Sequence, residues 1–401
     1  MEQQNIPEKL LKPYDPKTAE DAIYTRWEES GFFNPDVCVE KGLISANAPA
    51  FTVTLPPPNV TGVLHIGHAY EDALQDAVVR FHRMRGKKTL WVPGTDSAAI
   101  ATQARVEKDI LKEEKKTRHD LGREELVRRV QEFALKHEGI IVGQIKKVGA
   151  SLDWSRYAYT LDEKRYRAVV TAFKHMYDAG LIYRGHRIVN WDPKGQTTIS
   201  DDEVIHEARK GKLYTFRYSK DFPISISTTR PETKVGDTAV AVHPSDARYT
   251  QCIGKEYDAI FCGTPIHIKI VADESVDPEF GTGALGVTPA HSMVDAEIAE
   301  RHKLPMRQVI NEFARMTIPG PLENKKVGEA REMVVTWLAE NNLLEKEENV
   351  EQNISLSERT GAVIEPLPML QWFIAVNRAF EVKHSKIPVI EVGSSLTLKA
   401  L

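Results

Sequence analysis

Apolar and polar positions between residues 51 and 92 change their period twice. Phe51, Val53 and Leu55 alternate with polar residues, which is typical of a strand with one buried face, and three prolines then end the run. The next apolar positions have the spacing of an amphipathic helix: Tyr70, Ala73, Leu74, Ala77, Val78, Phe81 and Met84. Gly86 ends this helix, and residues 89–92 form a second apolar run. The pattern predicts a β-α-β unit, the building block of a parallel α/β sheet.

Two further stretches have a clear period. Residues 160–180 predict a helix that starts with a capping box formed by Thr160 and Glu163 and ends at Gly180. Its apolar positions predict a buried stripe: Tyr166, Val169, Val170, Phe173, Met176 and Tyr177. Beyond Gly211 the chain changes to short β-rich runs at 212–218, 224–228, 238–243 and 259–270. Because Gly, Pro and Asp separate these runs, we expect a compact barrel-like domain inserted into the α/β fold.

The segment between the first strand and the first helix carries the candidate chemistry, and it reads Pro56-Pro57-Pro58-Asn59-Val60-Thr61-Gly62-Val63-Leu64-His65-Ile66-Gly67-His68. Ligands bind at the carboxyl ends of parallel strands, and the free N–H groups of a helix start favour an anion. Gly67 would allow a nucleotide close to the backbone, and His65 and His68 can donate hydrogen bonds to phosphate oxygens. A His-x-Gly-His segment alone can equally be a structural helix start, so the flanking residues decide.

Composition excludes some classes of protein and leaves others open. The 401 residues are 41% hydrophobic and 27% charged, as in a soluble globular protein of two or three domains. The net charge of −4 gives no argument of its own for a nucleic-acid partner. Cys38, Cys252 and Cys262 form no Cys-x-x-Cys pair, which speaks against a zinc knuckle or a disulfide framework. The first 16 residues lack the apolar core of a secretion signal and no membrane span is visible, so we expect a cytoplasmic protein.

The segment from Pro56 to His68 resembles the first signature of the class I aminoacyl-tRNA synthetases, in the form found in their valine-specific branch. Residues 93–103 are similar to the PGTDHAGIATQ segment of the same branch, with Ser97 in place of His and Ala99 in place of Gly. Similar matches follow at 149–156, 180–185 and 189–193. The resemblance implies a doubly wound, Rossmann-type catalytic half that uses ATP, with magnesium implied by the ATP chemistry although no dedicated ligands are visible.

The resemblance also implies roles for individual residues. His65, Gly67 and His68 would handle ATP during activation of the amino acid. Asn59 and Asp96 would position valine, Asp96 through the ammonium group. Pro57 and Pro58 would shape the pocket.

A second pair of motifs lies in the β-rich part. Residues 227–233 resemble the threonine-rich signature of the editing domain inserted in the valyl, isoleucyl and leucyl enzymes, and residues 280–295 resemble its second half. Such a domain is needed because a hydrophobic pocket that binds valine discriminates against threonine by only about 10²-fold. The valyl enzymes are the known example. The implied editing residues are Thr228, Thr229, Arg230, Gly281, Gly283 and Asp295, where Asp295 would accept hydrogen bonds from the substrate ammonium. Gly286 and Ser292 replace the usual Lys and Asp.

These motifs predict four segments: an N-terminal helical arm (1–48), the first half of the catalytic domain (49–210), the inserted editing domain (211–357) and a return segment (358–401). The expected partners are tRNA specific for valine, tRNA(Val), and L-valine, and we expect a monomer that binds no membrane. The second catalytic half is absent from this sequence, and we expect Lys383-His384-Ser385-Lys386 to be a surface loop. We therefore expect this chain alone to lack aminoacylation activity.

Two other functions stay open at this stage. An editing-only hydrolase or an inactive tRNA-binding fragment would need only the inserted domain. A His-x-Gly-His nucleotidylyltransferase would share the first signature, but the two editing motifs speak against it.

Overall fold

The computed structural model of the chain describes residues 13–378. It consists of two compact units that meet in the chain between His175 and Met176. The first unit contains the helices α1 (Pro16–Ser30), α2 (Pro35–Glu40), α3 (Ile66–Met84), α4 (Ala99–Glu114), α5 (Arg118–Leu121) and α6 (Arg123–Val148), and the strands β1 (Ala50–Thr54), β2 (Lys88–Val92), β3 (Gly94–Thr95) and β4 (Ala158–Tyr159). Helix α7 (Glu163–Asp178) leads from the first unit into the second.

The second unit is built mainly from strands. They are β5 (Ile182–Asp192), β6 (Thr197–Ile199), β7 (Val204–Phe216), β8 (Ile226–Thr228), β9 (Ala239–Val242), β10 (Glu256–Phe261), β11 (Thr264–Ala272), β12 (Ala284–Val287), β13 (Leu344–Ser357) and β14 (Glu365–Ile374). The helices of this unit are α8 (Met293–His302) and α9 (Val327–Glu340). In the part of the chain that is described, no helix is long and apolar enough to cross a membrane.

The predicted β-α-β unit of the first unit is confirmed. Strand β1 pairs with β2 in parallel, and β3, which follows β2 directly, pairs with β4 in parallel. A Cβ atom at Gly94 would lie only 2.9 Å from the carbonyl oxygen of Ala158, so glycine permits the approach of β4. The carboxyl ends of β1, β2 and β4 therefore meet at one edge, where parallel sheets place their ligands. The described strands show this start of an α/β sheet and not a wider doubly wound one.

The core of the first unit forms between the strands and α6. Its buried side chains include Leu55, Val60, Val79, Trp91, Ile141, Ile145 and Leu152. The Trp91 indole N–H also donates a hydrogen bond to the Gln75 side chain (3.1 Å), which fixes α3 against β2. Helices α4 and α6 pack against each other through Val106, Ile110 and Leu126.

Helix α3 has the predicted period, but its apolar stripe is exposed. Tyr70 and Met84 are 67% and 88% exposed, and Leu74, Val78 and Phe81 are exposed as well. The opposite, polar face makes the contacts: Asp76 accepts from the Ser151 amide (3.2 Å), and Arg83 donates to the Ser151 carbonyl (2.7 Å). Charged hydrogen bonds to the loop after α6 thus determine which face of α3 is turned inward.

Two expectations for α7 are wrong. None of its residues is buried, and five of the six residues of the expected stripe are exposed: Tyr166, Val169, Val170, Phe173 and Tyr177. The helix start is capped by Asp162, whose carboxylate accepts from the Arg165 amide (2.9 Å), and not by Thr160. Thr160 is engaged elsewhere, because its hydroxyl donates to Asp96 (2.7 Å).

The second unit confirms the predicted β-rich region. Four strands form one sheet in the order β10-β11-β9-β12, and two three-stranded sheets have the orders β13-β7-β8 and β14-β5-β6. Aromatic side chains pack in the core, where the rings of Phe216 and Phe261 stack with centroids 5.5 Å apart. Among the described strands no sheet closes on itself, so the structure shows open sheets where we expected a barrel. The predicted loop at Lys383 lies outside the described residues.

Candidate active sites

The two imidazoles of the first signature stack at the start of α3. His65 is the N-cap residue, and its Nδ1 accepts a hydrogen bond from the Gly67 amide (3.1 Å). The Nδ1 of His68 accepts from the amide of His65 (3.2 Å), and the ring centroids lie 4.0 Å apart. Because each Nδ1 is an acceptor, the proton of each neutral ring is on Nε2. Both rings thus keep an Nε2–H donor at the helix start.

The surroundings of His68 favour its neutral form. Burial of the ring and the neighbouring His65 lower the pKa of His68 below its usual value.

Glycine is required at position 67 by a local contact that the sequence did not reveal. A Cβ atom there would lie 2.9 Å from Cε1 of His65, so only glycine allows the His65 ring to fold back onto the helix start.

The second candidate group surrounds Asp96. The Asp96 amide donates to the Pro58 carbonyl (2.8 Å), and the Asp96 carbonyl accepts from Val60 (2.9 Å), so the segment with Pro57, Pro58 and Asn59 is tied to the end of β3. Pro58 is buried, whereas Pro57 and Asn59 are exposed. Of the Asp96 carboxylate, Oδ1 accepts from Thr160, and Oδ2 has no protein partner in the described chain.

Thr160 is a site residue that sequence reasoning missed. Its hydroxyl donates to Asp96 and accepts from the Ser97 amide (2.9 Å), so it fixes the carboxylate and the turn after it. The signal was present, because Thr160 directly follows β4 and the carboxyl ends of neighbouring parallel strands meet. The turn continues through Ala98 and Ala99 with φ of 47° and 20°, a region that favours glycine. The departure from glycine at Ala99 thus falls on a strained backbone position.

The two editing motifs lie side by side in the second unit. A Cβ atom at Gly281 would lie 2.8 Å from Cβ of Ser227, and one at Gly286 would lie 2.8 Å from Cδ1 of Ile226. Gly281 and Gly283 have φ of 58° and 73°, so their own turn requires them. The structure therefore brings the two motifs together. The backbone conformation of the turn explains why both positions, 281 and 283, are glycine.

Arg230 is held by buried carboxylates. It contacts Glu365 directly and Glu232 at 3.6 Å, and Arg331 donates two hydrogen bonds of 2.8 Å to Glu232. A cleft of about 710 Å³ opens here, and its lining includes Lys194, Thr229, Arg230, Phe313, Lys326 and Arg331. Thr228 makes a local contact, since its hydroxyl oxygen accepts from the Arg230 amide (3.1 Å).

Asp295 is not among the residues that line this cleft. It is 5% exposed, and its carboxylate accepts from the Thr288 amide (2.7 Å) and the Ser292 hydroxyl (3.0 Å). Ser292 is the N-cap of α8, and Asp295 lies in the first turn. The structure therefore makes Asp295 a link between the start of α8 and the end of β12, and does not unite it with Arg230.

His291 of the second motif is buried and neutral. Its Nε2 accepts from the amides of Val309 (2.9 Å) and Ile310 (3.3 Å), so Nδ1 carries the proton and donates to the carbonyl of Pro366 (3.3 Å). Burial, together with the charge of Arg230, lowers the pKa of His291 to about 3. The ring joins three distant segments of the second unit.

This environment predicts an acid-dependent stability. The unfolded chain protonates His291 near its ordinary pKa of about 6.5 whereas the folded chain does not, so stability is lost as pH falls below that value. Between pH 7.5 and 5 the loss amounts to about 2 kcal/mol. We expect the difference in unfolding free energy between wild type and His291→Gln to shrink by this amount, measured by urea unfolding at both pH values. His186→Gln, at an exposed histidine of β5, is the control; a difference that stays constant with pH would contradict the assignment.

Comparisons with known proteins agree with this arrangement. A family model described as tRNA synthetases class I (I, L, M and V) matches residues 22–394. The chain belongs to this family. The resemblance of the first signature is thereby confirmed, and the stacked imidazoles of the synthetase lie within the matched region.

Three curated relatives indicate the branch. The synthetase chain is 44% identical to the valine–tRNA ligase of Treponema denticola over 380 residues, 47% identical to that of Thermus thermophilus over 370, and 46% identical to that of Thermotoga maritima over 373. Each match covers 91% of this chain but only 41–42% of the relative, so the chain spans about two fifths of their length.

A solved structure was also matched, with less similarity. It is a ternary complex of an Agrobacterium radiobacter K84 LeuRS with tRNA and LeuAMS, 18% identical over 88% of this chain and 49% of that chain. The TM-score of 0.38 is too low to carry an argument.

Proposed function

We propose that the protein is a valine–tRNA ligase and that its first unit takes part in activating valine. In this reaction the valine carboxylate attacks the α-phosphorus of ATP, pyrophosphate leaves, and the terminal ribose hydroxyl of tRNA(Val) then takes the valyl group from the adenylate. The observation that carries the proposal is the pair of neutral imidazoles at the start of α3, each with an Nε2–H donor. Such fixed donors stabilise the charge that builds on phosphate oxygens in the transition state.

The Asp96 carboxylate is the proposed partner of the valine ammonium. Thr160 fixes Oδ1 and leaves Oδ2 for a cation, at the same strand edge as the imidazoles. Asn59 is joined to Asp96 by a backbone bridge, and with Pro57 and Pro58 it would form the wall next to the substrate. Magnesium accompanies ATP in such reactions, but within the described residues no group of three or more His, Cys, Asp or Glu could hold a metal ion. We therefore assign it no ligand here.

For the second unit we propose editing of threonyl-tRNA(Val) by ester hydrolysis. The adjacent motifs support this, and Thr228, Thr229, Arg230 and Asp295 would frame the site, with Gly281 and Gly283 shaping its loop. The proposed layout keeps the segments 1–48, 49–210, 211–357 and 358–401, with the β-rich segment 211–357 as the editing domain. A monomer in the cytoplasm that binds tRNA(Val) and no membrane completes the proposal. The second unit is compact by itself, which also favours an editing-only hydrolase or a tRNA-binding fragment as the role of this chain alone.

Replacing Asp295 tests the editing site. In the protein that carries this chain, Asp295→Ala is expected to slow threonyl-tRNA(Val) hydrolysis, because a buried ammonium would lose its counter-charge at a cost on the order of 2–5 kcal/mol. Threonyl-tRNA(Val) should then accumulate while valine-dependent pyrophosphate exchange continues. Both are measured with radiolabelled substrates, and Asp258→Ala, at a carboxylate that is 88% exposed, is the matched control. If Asp295→Ala clears threonyl-tRNA(Val) as fast as wild type, Asp295 only links α8 to the end of β12 and is no substrate ligand.

A further inference from the structure

Lys234 is a buried cation in the second unit. Its side chain is 6% exposed, and Nζ donates to the Gly286 carbonyl (2.6 Å), the Thr288 hydroxyl (2.8 Å) and the Asp237 carboxylate (3.3 Å). These contacts use all three N–H bonds of the ammonium. Burying such a charge is costly unless it is fully paired, so this arrangement is a specific one.

The partner carboxylate is equally enclosed. Asp237 accepts from the hydroxyls of Tyr218 and Thr288, and Tyr218, Asp237 and Thr288 are all buried. Burial raises the pKa of Asp237 to about 6, while the charge of Lys234 and the two hydroxyl donors oppose this rise. Lys234 thus stabilises the ionised carboxylate in this network.

The network reaches the proposed editing carboxylate through one residue. Thr288 accepts from Lys234 with its hydroxyl and donates its amide to Asp295 (2.7 Å). The Lys234 ammonium also donates a hydrogen bond to the carbonyl of Gly286, which lies two residues before Thr288 at the same strand end. Moving this strand end would therefore move the amide that orients Asp295.

Position 286 requires glycine because a side chain there would clash with this network. A Cβ atom there would lie 2.5 Å from Oδ2 of Asp237 and 2.6 Å from the Tyr218 hydroxyl. A side chain at position 286 would therefore displace Asp237, to which the Lys234 ammonium from another segment is bonded.

We propose that Lys234 is a positioning residue of the ester-hydrolysing site, which fixes the strand end 286–288 and thereby Asp295, and that Gly286 provides the space for this network. The proposal rests on the editing function proposed above. Lys234 itself does not touch the substrate, because it is enclosed by Gly286, Thr288 and Asp237.

The first test measures hydrolysis of threonyl-tRNA(Val) by the full-length protein. Lys234→Met, which keeps the length of the side chain without its charge, is expected to lower kcat by about 10²-fold and to change KM by less than about threefold, as expected when transition-state geometry and not binding is lost. Lys255→Met, at an exposed lysine just before β10, should leave kcat unchanged. Methylammonium or ethylammonium should restore part of the activity of Lys234→Ala, because it returns the charge, whereas a purely structural role predicts no rescue. A kcat for Lys234→Met within about threefold of wild type, or the absence of rescue, would overturn the proposal.

The second test separates this proposal from the editing function. Gly286→Ala displaces the same network, so the double variant Lys234→Met/Gly286→Ala should have a urea midpoint no lower than the lower of the two single variants. Additive shifts would overturn the coupling between Lys234 and Gly286 even if editing is real. Conversely, wild-type protein that leaves threonyl-tRNA(Val) intact would refute the editing function, while non-additive midpoints would still show that Gly286 and Lys234 act as one unit.

Discussion

Glu232→Ala is expected to lower the free energy of unfolding of the second unit by about 3–5 kcal/mol. Glu232 is 0% exposed and pairs with two arginines, through two 2.8 Å bonds from Arg331 and a 3.6 Å contact with Arg230. Removing the carboxylate leaves Arg331 without its counter-charge and leaves Arg230 with Glu365 alone. Urea unfolding monitored by the fluorescence of Trp191, whose indole is buried in the same unit, measures the effect.

A matched carboxylate is available as the control. Glu347 pairs with Lys212 on the surface of the β7–β13 ribbon, where solvent screens the pair, so Glu347→Ala should leave the midpoint unchanged. Glu232→Gln should be less damaging than Glu232→Ala because it keeps a hydrogen-bond acceptor for Arg331. Equal midpoints for wild type and Glu232→Ala would show that the arginines find other partners.

His68→Ala is expected to reduce adenylate formation by about 10²-fold or more, the usual loss when one fixed donor to a developing anion is removed. The variant loses the Nε2–H donor of His68 and also the acceptor for the His65 amide. Valine-dependent ATP–pyrophosphate exchange by the protein that carries this chain measures the rate.

His119, an exposed histidine on α5, provides the control substitution His119→Ala, for which no change in exchange rate is expected. Circular dichroism should show that His68→Ala keeps its helices. An exchange rate within about threefold of wild type would reduce His68 to a residue that only caps α3.

Local patterns in the sequence predicted the helices and strands of the first unit well. They predicted poorly which face of each helix is turned inward. The spacing of apolar residues and Gly86 located α3, because period and helix ends are local properties. The face that turns inward depends instead on Asp76 and Arg83 reaching Ser151, some 70 residues later in the chain. Thr160 was misread as a cap for the same reason, since its partner Asp96 is distant in sequence.

The second unit shows the same limit at its candidate site. The two motifs identified the strands that lie side by side, and the structure places Gly281 against Ser227. The motifs did not show that Arg230 is bound by Glu365, or that Asp295 is bonded to Thr288 and Ser292 away from the cleft. These contacts join segments that no local period connects, so only the folded chain reveals them.

The exposed stripe of α3 has a consequence for the surroundings of the two imidazoles. Tyr70 follows His68 by two residues, and Ile66, between the two imidazoles, is 85% exposed. Apolar side chains in such a continuous row are the kind of surface that proteins cover with further protein. A partner that covers Ile66 and Tyr70 would lie beside the helix start that carries the two imidazoles. We therefore expect binding to this row and access to the imidazoles to depend on each other.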